Sequence, residues 1–446
     1  MPSADSALLT DMYQIAMLQA YHDHGMNDIA AFEFFVRKMP RTRNFLLAGG
    51  LEQVVEFLET LRFKDDELRW LAGCGTFRDD FVLSLADLRF TGDVYAMPEG
   101  TVFFPDEPIL RIVAPIREAQ LVETRVINLL QFQTMIASKA ARVALAAPGK
   151  LLVDFGLRRA HGAEAGLLSA RAGFVGGLTG TATVLAGKYW GIPLFGTMAH
   201  SYIQAHSSEL EAFQHFARSL PDHCTFLIDT YDTEACAASL IPLVWQLASE
   251  GITVRGVRLD SGDLAQHARR VRSVLDEAGL RDMTIFASGN LDELKVRELA
   301  ASAPIDGFGV GTSLCTSADA PSLDCAYKLQ EYAGIPRRKR SEGKATWPGA
   351  KQVYRQRDGG DRFCSDLIAT ADEPQPGNPL LIPIMRGGRR AAPLPALGAI
   401  RDHAASQIAA LPSPLRGLEP EASYPVRISD RLRDLADAMD AGEAVR

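Results

Sequence analysis

The segment 254–264, VRGVRLDSGDL, places a cation and an anion two residues apart and follows them with a Ser-Gly turn. Alternating apolar residues from Ile252 to Val257 predict a buried strand, from which Arg258 and Asp260 emerge just before an amphipathic helix. Parallel α/β folds bind their ligands at such carboxyl ends of strands. The pattern therefore indicates a binding or catalytic site, and the alternative is an ordinary loop with a surface ion pair.

Five other predicted strands end in comparable polar or small residues. The ends carry Asp154, Phe155, Gly156, Arg158 and Arg159 after the first strand, Gly196, Thr197, His200 and Ser201 after the second, Asp229, Thr230, Tyr231 and Asp232 after the third, Ser288, Gly289 and Asn290 after the fifth, and Gly309, Val310, Gly311 and Thr312 after the sixth. Packing alone does not explain so many polar ends on the face where barrel enzymes have their active sites.

The cations and glycines at these ends suit a phosphorylated ligand. Small residues precede helices at 288–290 and 309–312, where exposed backbone N–H groups can hold a phosphate. Tight turns without a ligand are the alternative for each of the two segments. Arg158, Arg159 and Arg258 suit bidentate binding of a phosphate or a carboxylate.

The carboxylates and the aromatic residue at the strand ends suit a sugar and a flat ring. Asp229 and Asp260 are candidates to bind Mg²⁺, directly or through water, or a ribose hydroxyl. Phe155 is positioned to stack on a ring, or else it is plain core. No P-loop or dinucleotide-binding glycine motif stands between a strand and a helix, and no HExxH spacing occurs, so no direct metal ligand is assigned with certainty.

Alternating strands and helices predict a parallel sheet in the middle of the chain, most simply a barrel or an incomplete one. The predicted strands are Leu151–Phe155, Ile192–Phe195, Thr225–Ile228, Ile252–Val257, Thr284–Ala287 and Ile305–Val310. The predicted helices between them are 162–172, 200–219, 232–250, 262–279 and 291–302.

The flanking segments have a different pattern. The N-terminal part combines a helix at Leu8–His22 with short β runs between 90 and 115 that are typical of antiparallel pairing. The proline-rich tail is predicted to wrap the chain and to end in an exposed helix from about Ser429. We therefore predict an N-terminal α/β domain at 1–117, on which 345–446 packs, and a barrel domain at 118–344.

The overall totals indicate the class of protein. The chain has 446 residues and a net charge of −8, which argues against non-specific binding of nucleic acid. Its six cysteines show no CxxC spacing, which favours a reducing compartment. Neither a signal peptide nor a membrane span is recognisable. These features predict a cytoplasmic protein that binds neither nucleic acid nor membranes.

Several motifs of the chain are specific enough to be compared with known families. They are Leu9–Tyr13, Gly49–Gln53, Pro98–Gly100, Glu107–Leu110, Asn128–Thr134, Asp154–Arg159, Gly196–Ser201, Arg258–Leu264, Gly309–Thr312, Tyr327–Leu329, Ser341–Thr346 and Lys351–Arg355. Together, over about residues 8–355, they resemble the nicotinate phosphoribosyltransferase family. The segment Gly173–Thr183 fits the family pattern only loosely, and the resemblance fades past 375.

The resemblance implies a reaction and a fold. Nicotinate and phosphoribosyl pyrophosphate would give nicotinate mononucleotide and pyrophosphate with coupled ATP hydrolysis, a step in NAD salvage that uses Mg²⁺ with the phosphorylated substrates. The implied fold is an irregular, incomplete α/β barrel beside a smaller α/β domain built from both ends of the chain. The implied assembly is a homodimer whose subunits share active sites.

The resemblance also implies roles for individual residues. His200 resembles the histidine that ATP phosphorylates, and Tyr13 resembles a tyrosine that reaches nicotinate from the partner subunit. Thr197 and Arg258 resemble the groups that bind the pyridine carboxylate, and Phe155 resembles the residue that stacks on the ring. Arg158 resembles a phosphate contact, Asp260 resembles a carboxylate near the ribose, and the 5′-phosphate site is matched by Gly309, Gly311 and Thr312. Taken alone, His200 reads more readily as a structural histidine and Tyr13 as helix core. From the chemistry of the displacement, Asp229 joins Asp260 as a candidate to stabilise positive charge on the ribose.

Three alternative functions are open at this point. A related transferase would act on nicotinamide or quinolinate, but Thr197, Arg258 and the lack of acidic residues in Gly173–Thr183 favour a monocarboxylate. A phosphate-binding isomerase or aldolase would want a strand-end lysine, or a glutamate or histidine base, and none of the ends carries a lysine. A catalytically inactive ligand sensor is the third, and the full set of polar strand ends argues against it.

Overall fold

The computed structural model describes residues 6–421 and 424–442. The chain divides into two compact units, one made of residues up to 135 together with those from 322 onward, the other of residues 136–321. The unit that contains both chain ends has more residues than the other. The domain limits predicted from the sequence, 117 and 345, remain a prediction about which segments of the chain fold as units.

The elements up to the middle of the chain begin the first unit. They are α1 (Met12–Asp23), β1 (Ile29–Lys38), β2 (Leu46–Leu47), α2 (Leu51–Thr60), α3 (Asp65–Gly73), α4 (Asp79–Ser84), β3 (Asp93–Ala96), β4 (Val102–Phe103), β5 (Pro108–Pro115), α5 (Ile116–Leu121) and the long α6 (Glu123–Ala146), whose residues from 136 onward belong to the second unit. Helix α1 begins at Met12 rather than at Leu8, because Leu8–Thr10 form turns ahead of it.

The second unit, residues 136–321, is called the barrel unit from here on. Its elements are β6 (Leu151–Asp154), a 3₁₀ turn (Leu157–Arg159), α7 (Ala163–Val175), β7 (Gly180–Thr181), α8 (Val184–Trp190), α9 (His200–Gln204), α10 (Glu209–Ser219), a 3₁₀ turn (Pro221–His223), β8 (Thr225–Leu227), α11 (Thr233–Ser249), β9 (Gly256–Leu259), α12 (Leu264–Glu277), β10 (Thr284–Ala287), α13 (Glu293–Ser302), β11 (Gly307–Val310) and α14 (Thr312–Cys315).

The C-terminal segment completes the first unit. It contains β12 (Asp324–Tyr332), β13 (Ile335–Pro336), β14 (Lys351–Arg357), β15 (Phe363–Thr370), β16 (Asn378–Pro379), β17 (Ile382–Arg386), β18 (Arg389–Arg390), α15 (Leu397–Ala410), a 3₁₀ turn (Ser413–Arg416), β19 (Val426–Ile428) and α16 (Asp430–Asp440). Helix α16 is not simply exposed, since Leu432 and Ala436 are buried.

The main sheet of the first unit interleaves strands from the two ends of the chain. Its order is β13-β12-β1-β5-β3-β17-β18, and its pairings are antiparallel. Strand β1 is buried along most of its length, and its Glu33 carboxylate lies 2.8 Å from the ammonium group of the buried Lys351 on β14. The expected α/β domain built from N-terminal and C-terminal segments is therefore confirmed.

The barrel unit is built on a parallel sheet of order β7-β6-β11-β10-β9-β8. Read from β8, the order is β8-β9-β10-β11-β6-β7, so the first two strands of the unit follow its last strand. Within residues 136–321, all of which the structure describes, no ladder joins β7 to β8. The predicted α/β class is thus confirmed, with a parallel sheet that is open between these two strands.

Three element predictions in the barrel unit were inaccurate. Ile192–Phe195 is not a strand: the second strand is β7, and Leu194 contributes one isolated bridge to Thr181. Pro193 explains this, because proline cannot donate to a ladder. The helix predicted at 200–219 divides into α9 and α10, since Ser208 caps α10 by accepting a hydrogen bond from the Glu211 N–H. Strand β9 begins at Gly256 rather than Ile252.

Helix length and hydropathy also bear on membrane insertion. Among the residues that the structure describes, none of the helices is both long and apolar enough to cross a bilayer.

Candidate active site

Most predicted site residues of the barrel unit follow the carboxyl ends of its strands, whereas Thr197 and His200 lie between α8 and the start of α9, after a segment that is not a strand. Parallel pairing aligns Asp154 with Val310, Ala287 with Phe308 and Ala287 with Leu259, so the loops that follow these strands are neighbours. The side chains and backbone atoms of these loops contact one another, as described below. Chain segments that are far apart in sequence therefore form one cluster.

Arg258 and Thr197 form the central polar pair of the cluster. The Arg258 guanidinium donates from Nη1 to Thr197 Oγ1 at 2.7 Å and to the Met198 carbonyl at 3.3 Å. Its Nη2 lies 3.5 Å from Asp260 Oδ1, and its buried Nε has no protein hydrogen-bond partner in the described residues. The buried, partly unpaired guanidinium can bind an anion, and its neighbouring hydroxyl is a second contact for the same ligand.

Burial and neighbouring charges oppose each other at Arg258. Burial lowers the pKa of its guanidinium, Asp260 and Asp229 raise it, and Arg158 lowers it again. Arginine keeps its proton in proteins despite such shifts, so Arg258 is a permanent cation in this cluster. Arg158 itself is exposed on the 3₁₀ turn that follows β6.

Phe155 presents an aromatic ring beside this cation. The guanidinium carbon of Arg258 lies 5.9 Å from the Phe155 ring centroid, and the Phe286 ring lies 5.8 Å away at 47°. A Cβ atom added to Gly309 would come within 2.6 Å of the Phe155 ring. The ring therefore rests directly on Gly309, which only a residue without a side chain allows.

The two candidate carboxylates are joined through the Asp260 loop. Asp229 Oδ2 accepts hydrogen bonds from the Asp260 N–H at 2.8 Å and from the Ser261 hydroxyl at 2.6 Å. The Asp260 carboxylate in turn accepts a hydrogen bond from Ser288. Asp229 Oδ1 is buried and has no partner in the described chain. A buried carboxylate oxygen without a partner is available to a hydroxyl or a cation.

Position 289 requires glycine, both for its backbone conformation and for its lack of a side chain. Its φ of +100° is rarely adopted by L residues, and an added Cβ would lie 2.0 Å from the Asp260 carbonyl oxygen. Asn290 follows with φ +48°, and its carbonyl accepts a hydrogen bond from Lys295 Nζ at 3.1 Å. The loop after β10 therefore packs against the loop after β9 at Gly289, and Lys295 of α13 holds it at Asn290.

The loop after β11 lies against the loop after β6. The Phe155 N–H donates to the Val310 carbonyl at 2.8 Å, and a Cβ on Gly311 would lie 3.1 Å from the Phe155 carbonyl. Thr312 then begins the short helix α14. Gly309 thus lies beside the ring of Phe155 and Gly311 beside its carbonyl, and Thr312 follows directly in the chain.

His200 is the first residue of α9. Its Nδ1 is 3.2 Å from the Thr230 hydroxyl, next in sequence to Asp229. Its Nε2 makes no protein hydrogen bond within the described part of the chain, and the side chain is half-buried. The ring is held at one nitrogen, which leaves the other nitrogen open to a reaction partner.

Tyr13 belongs to the first unit. It is the second residue of α1, and its side chain is 48% exposed. Burial of its hydroxyl end, followed by the charge of Glu123, raises its pKa. The alternative interpretation of Tyr13 as helix core is therefore wrong, because the ring faces outward.

Phe286 was not singled out from the sequence, and Asp154 was named at a strand end without being given a role. Phe286 supports Phe155, although its pattern is that of a core strand. Asp154 is buried and accepts hydrogen bonds from the Thr181 hydroxyl and the Gly156 N–H, both at 2.8 Å, while burial raises its pKa. Asp154 thereby fixes the loop that carries Phe155 and Arg158. A carboxylate at a strand end was the available signal for Asp154.

A separate recess of about 1020 Å³ opens at the opposite ends of the strands. Its walls include Thr225, Trp245, Arg255 and Thr284, at or near strand starts and on α11. Of the predicted strand-end residues, Gly196 lines this recess, and Arg258, Asp260, Asp229 and His200 do not.

A parallel α/β sheet whose following loops bring two carboxylates, an arginine and glycine-rich backbone together is typical of α/β enzymes that bind their ligands at the carboxyl ends of the strands. Family models match three stretches of the chain. They are the nicotinate phosphoribosyltransferase N-terminal domain at residues 8–131, the nicotinate phosphoribosyltransferase family at 151–339 and the nicotinate phosphoribosyltransferase C-terminal domain at 377–436.

Individual relatives agree with the family models. Nicotinate phosphoribosyltransferase pncB2 of Mycobacterium tuberculosis is 51% identical over 429 residues, which cover 96% of this chain and 92% of that protein. The Bacillus subtilis nicotinate phosphoribosyltransferase is 41% identical over 78% of this chain and 73% of its own length. The crystal structure of human nicotinic acid phosphoribosyltransferase superposes with a TM-score of 0.86 at 29% identity, over 97% of this chain and 100% of that one.

The chain belongs to the nicotinate phosphoribosyltransferase family and is an enzyme of that type. The resemblance predicted from its motifs is confirmed. The roles of the individual site residues remain predictions.

Proposed function

We propose that this chain transfers the phosphoribosyl group of phosphoribosyl pyrophosphate to nicotinate in NAD salvage. The pyridine nitrogen forms a bond to the anomeric carbon with its own lone pair, and the bond from that carbon to the pyrophosphate oxygen breaks. The products are nicotinate mononucleotide and pyrophosphate. The observation that carries the proposal is the Arg258–Thr197 pair beside the Phe155 ring, one residue removed from the carboxylate of Asp260.

Arg258, Thr197 and Phe155 are proposed to orient nicotinate. The guanidinium and the Thr197 hydroxyl are suited to bind the pyridine carboxylate, and the Phe155 face is suited to stack on the ring. Because the attacking nitrogen carries no proton, the site needs no general base. Its main task is to hold the nitrogen in line with the anomeric carbon, which is catalysis by orientation.

Asp260 and Asp229 are proposed to stabilise the ribose as positive charge develops on it. Displacement at an anomeric carbon has oxocarbenium character, and preorganised carboxylates lower the energy of such a transition state. Arg158 is proposed to contact a phosphate. The backbone of Ser288, Gly289 and Asn290, together with Gly309, Gly311 and Thr312, is proposed to hold the phosphate groups of the sugar.

Mg²⁺ fits this site as an ion that arrives with the phosphorylated substrates. Its donors in the chain would be Asp229, whose buried Oδ1 has no partner in the described residues, and Asp260. No group of three or more potential metal ligands occurs in the part of the chain that the structure describes. Phosphate oxygens and water would therefore complete the coordination, as Mg²⁺ sites commonly require. When bound, the ion would neutralise charge on the departing pyrophosphate.

ATP coupling through a phosphohistidine is proposed at His200. A neutral imidazole nitrogen can accept a phosphoryl group, with ADP as the leaving group, and water later hydrolyses the phosphohistidine to release phosphate. The hydrogen bond between Nδ1 and Thr230 supports Nε2 as the accepting atom. The added charge would order the neighbouring loops around the substrates.

His200→Ala is predicted to keep weak transferase activity and to lose ATP stimulation. The transfer step itself uses Arg258, Phe155 and the carboxylates, so it does not need the imidazole. Initial rates with and without ATP measure the coupling ratio. Phosphopeptide mapping of the parent enzyme after exposure to labelled ATP provides the control, and label on any residue other than His200 contradicts the assignment.

A homodimer with shared active sites is proposed from the exposed Tyr13 and its predicted role. Tyr13 would sandwich nicotinate from the partner subunit, opposite Phe155. Mixing inactive Tyr13→Ala and Asp260→Asn chains tests this, because a mixed dimer contains one site with both native residues. Partial recovery of activity supports sharing, and no recovery in mixed dimers contradicts it.

The free cysteines among the described residues support a reducing, cytoplasmic location.

The competing substrates are nicotinamide and quinolinate. An amide offers no negative charge to Arg258, and a dicarboxylate calls for additional cations near the ring. The structure of a nicotinate-nucleotide pyrophosphorylase from Pyrococcus furiosus superposes with a TM-score of 0.75 at 26% identity, over 92% of this chain and 97% of that one. Competition among the three pyridines therefore discriminates directly between the alternatives.

The decisive experiment is product formation from nicotinate and phosphoribosyl pyrophosphate, measured with and without ATP and with and without Mg²⁺. Formation of nicotinate mononucleotide and stoichiometric pyrophosphate supports the proposal. Turnover of another pyridine in preference to nicotinate, or absence of pyrophosphate release, overturns it.

A further inference from the structure

A charge network centred on a buried lysine lies in the barrel unit, close in sequence to two loops of the candidate site. It consists of Lys139 and Arg142 on helix α6, Glu293 at the first position of α13 and Asp319 after α14. None of these four residues contributes to the reaction as proposed above. The network is defined here by these four side chains.

Lys139 is the centre of the network. Its side chain is 2% exposed, and its ammonium group hydrogen-bonds Glu293 and, at 2.8 Å, Asp319. Arg142 Nε donates to the other Glu293 oxygen at 2.9 Å. Burial would raise the pKa of Glu293, but the charge of Lys139 and the hydrogen bonds from Lys139 and Arg142 lower it. Two cations thus face two carboxylates inside the protein.

Glu293 connects the network to the loop after β10. Asp292 caps α13 by accepting hydrogen bonds from the N–H groups of Leu294 and Lys295, and Lys295 Nζ reaches back to the Asn290 carbonyl. Gly289 is in turn pressed against the Asp260 carbonyl. A displacement of Glu293 would therefore move the segment 288–290.

Asp319 connects the network to the loop after β11. It lies in a tight turn in which the Ser317 side chain donates to the Ala320 carbonyl at 2.9 Å. The Ala318 N–H donates to the carbonyl of Ser313, the second residue of α14, at 3.2 Å. Because α14 begins at Thr312, a displacement of Asp319 would move the segment 309–312.

Helix α6 is a firm base for these contacts. Ala137, Ala140 and Ala141 are fully buried, and a Cβ on Gly176 would lie 2.4 Å from the Ala137 carbonyl. The helix backbone therefore packs closely against the end of α7. A lysine fixed on this base can set the positions of two loops relative to one another.

We propose that Lys139 is a positioning residue, which holds the two glycine-containing loops 288–290 and 309–312 at the spacing that phosphoribosyl pyrophosphate requires. A buried ion pair is poor evidence of a contribution to stability, because apolar residues of the same size pack as well or better. A single cation shared by two carboxylates does fix a distance between them, which apolar packing does not do. The inference depends on the proposed function, since the ligand is its sugar-phosphate substrate.

The test compares substrate KM values in folded variants. Asp319→Asn keeps the shape and one acceptor oxygen of the side chain, and we expect it to raise the KM for phosphoribosyl pyrophosphate about tenfold, as small misplacements of binding groups do. The nicotinate KM should change less than about twofold, because Arg258 and Thr197 lie outside the network. Lys139→Met should act in the same direction more strongly, and Lys139→Arg should restore part of the loss.

Glu298→Gln is the matched control, since Glu298 is exposed on the same helix α13. Urea denaturation identifies the variants that fold. If Lys139→Met does not fold, the KM values of Asp319→Asn alone test the positioning role. Equal rises of both KM values, or an unchanged KM for phosphoribosyl pyrophosphate, overturn the inference.

Calorimetric titration with phosphoribosyl pyrophosphate alone separates this inference from the proposed function. A parent enzyme that binds this substrate without turning over nicotinate refutes the proposed function, and the variants' Kd values then test the positioning role. A parent enzyme that does not bind it refutes both.

Discussion

Asp260→Asn is expected to lower kcat about 100- to 1000-fold, which is the loss typical when one preorganised electrostatic group is removed from a transition state. The amide keeps the size of the side chain and an oxygen that can accept from Ser288. The negative charge of the side chain is lost, but Arg258 keeps its contact with Thr197, so the KM for nicotinate should change little. Steady-state kinetics at saturating substrate measure the effect.

Asp263→Asn is the control for this prediction. Asp263 lies three residues further along the chain, where it caps α12 by accepting a hydrogen bond from the Gln266 N–H at 3.0 Å. Its replacement should leave kcat close to that of the parent enzyme, because its carboxylate acts on the helix end alone. A similar loss of kcat in both variants would show that the effect is not specific to the carboxylate of Asp260.

Arg258→Ala is expected to raise the KM for nicotinate tens-fold or more. Truncating one partner of a buried, charge-assisted pair costs about 2–5 kcal/mol, and each 1.4 kcal/mol is about tenfold in affinity. The Thr197 hydroxyl would lose its 2.7 Å contact, and the carboxylate of the substrate would lose its cation. Nicotinamide binding should change much less, so the ratio of the two KM values is the most informative measurement.

Two further substitutions sharpen this prediction. Arg258→Lys keeps the charge but loses the planar fork, so its KM should lie between those of the parent enzyme and Arg258→Ala. Arg255→Ala removes an exposed arginine just before the same strand, within the recess at the opposite end of the sheet. It should leave nicotinate binding unchanged. An unchanged KM in Arg258→Ala would remove this arginine from the proposed site.

Strand positions in the barrel unit were predictable where apolar runs are continuous. The runs at 151, 225, 284 and 305 each contain a strand of the parallel sheet. Strand β7 was not predictable, because Gly180-Thr181 is two residues long and has no hydrophobic pattern. The run Ile192–Phe195 is as apolar as a strand, but Pro193 limits it to one bridge. Local pattern identifies long strands and fails for short edge strands.

The site was predictable in composition but not in its connections. Strand-end residues could be named because parallel strands place their carboxyl ends on one face. The bond between Arg258 and Thr197 spans 61 positions, and that between Asp229 and Ser261 spans 32. Such pairings depend on loop conformation, which spacing does not encode. Lys139 gave no signal at all, because a lysine in a helical pattern usually reads as a solvent contact.

The interleaved sheet of the first unit has a consequence for biosynthesis. Strands β1, β3 and β5 leave the ribosome early, whereas their neighbours β12 and β17 are translated only after the whole segment 136–321 has been made. During that interval the edge strands of the incomplete sheet have no neighbouring strands to pair with, and unpaired edges promote aggregation. Premature termination anywhere before β17 would leave a nascent product that cannot close this sheet, and such fragments should be cleared by cellular proteolysis.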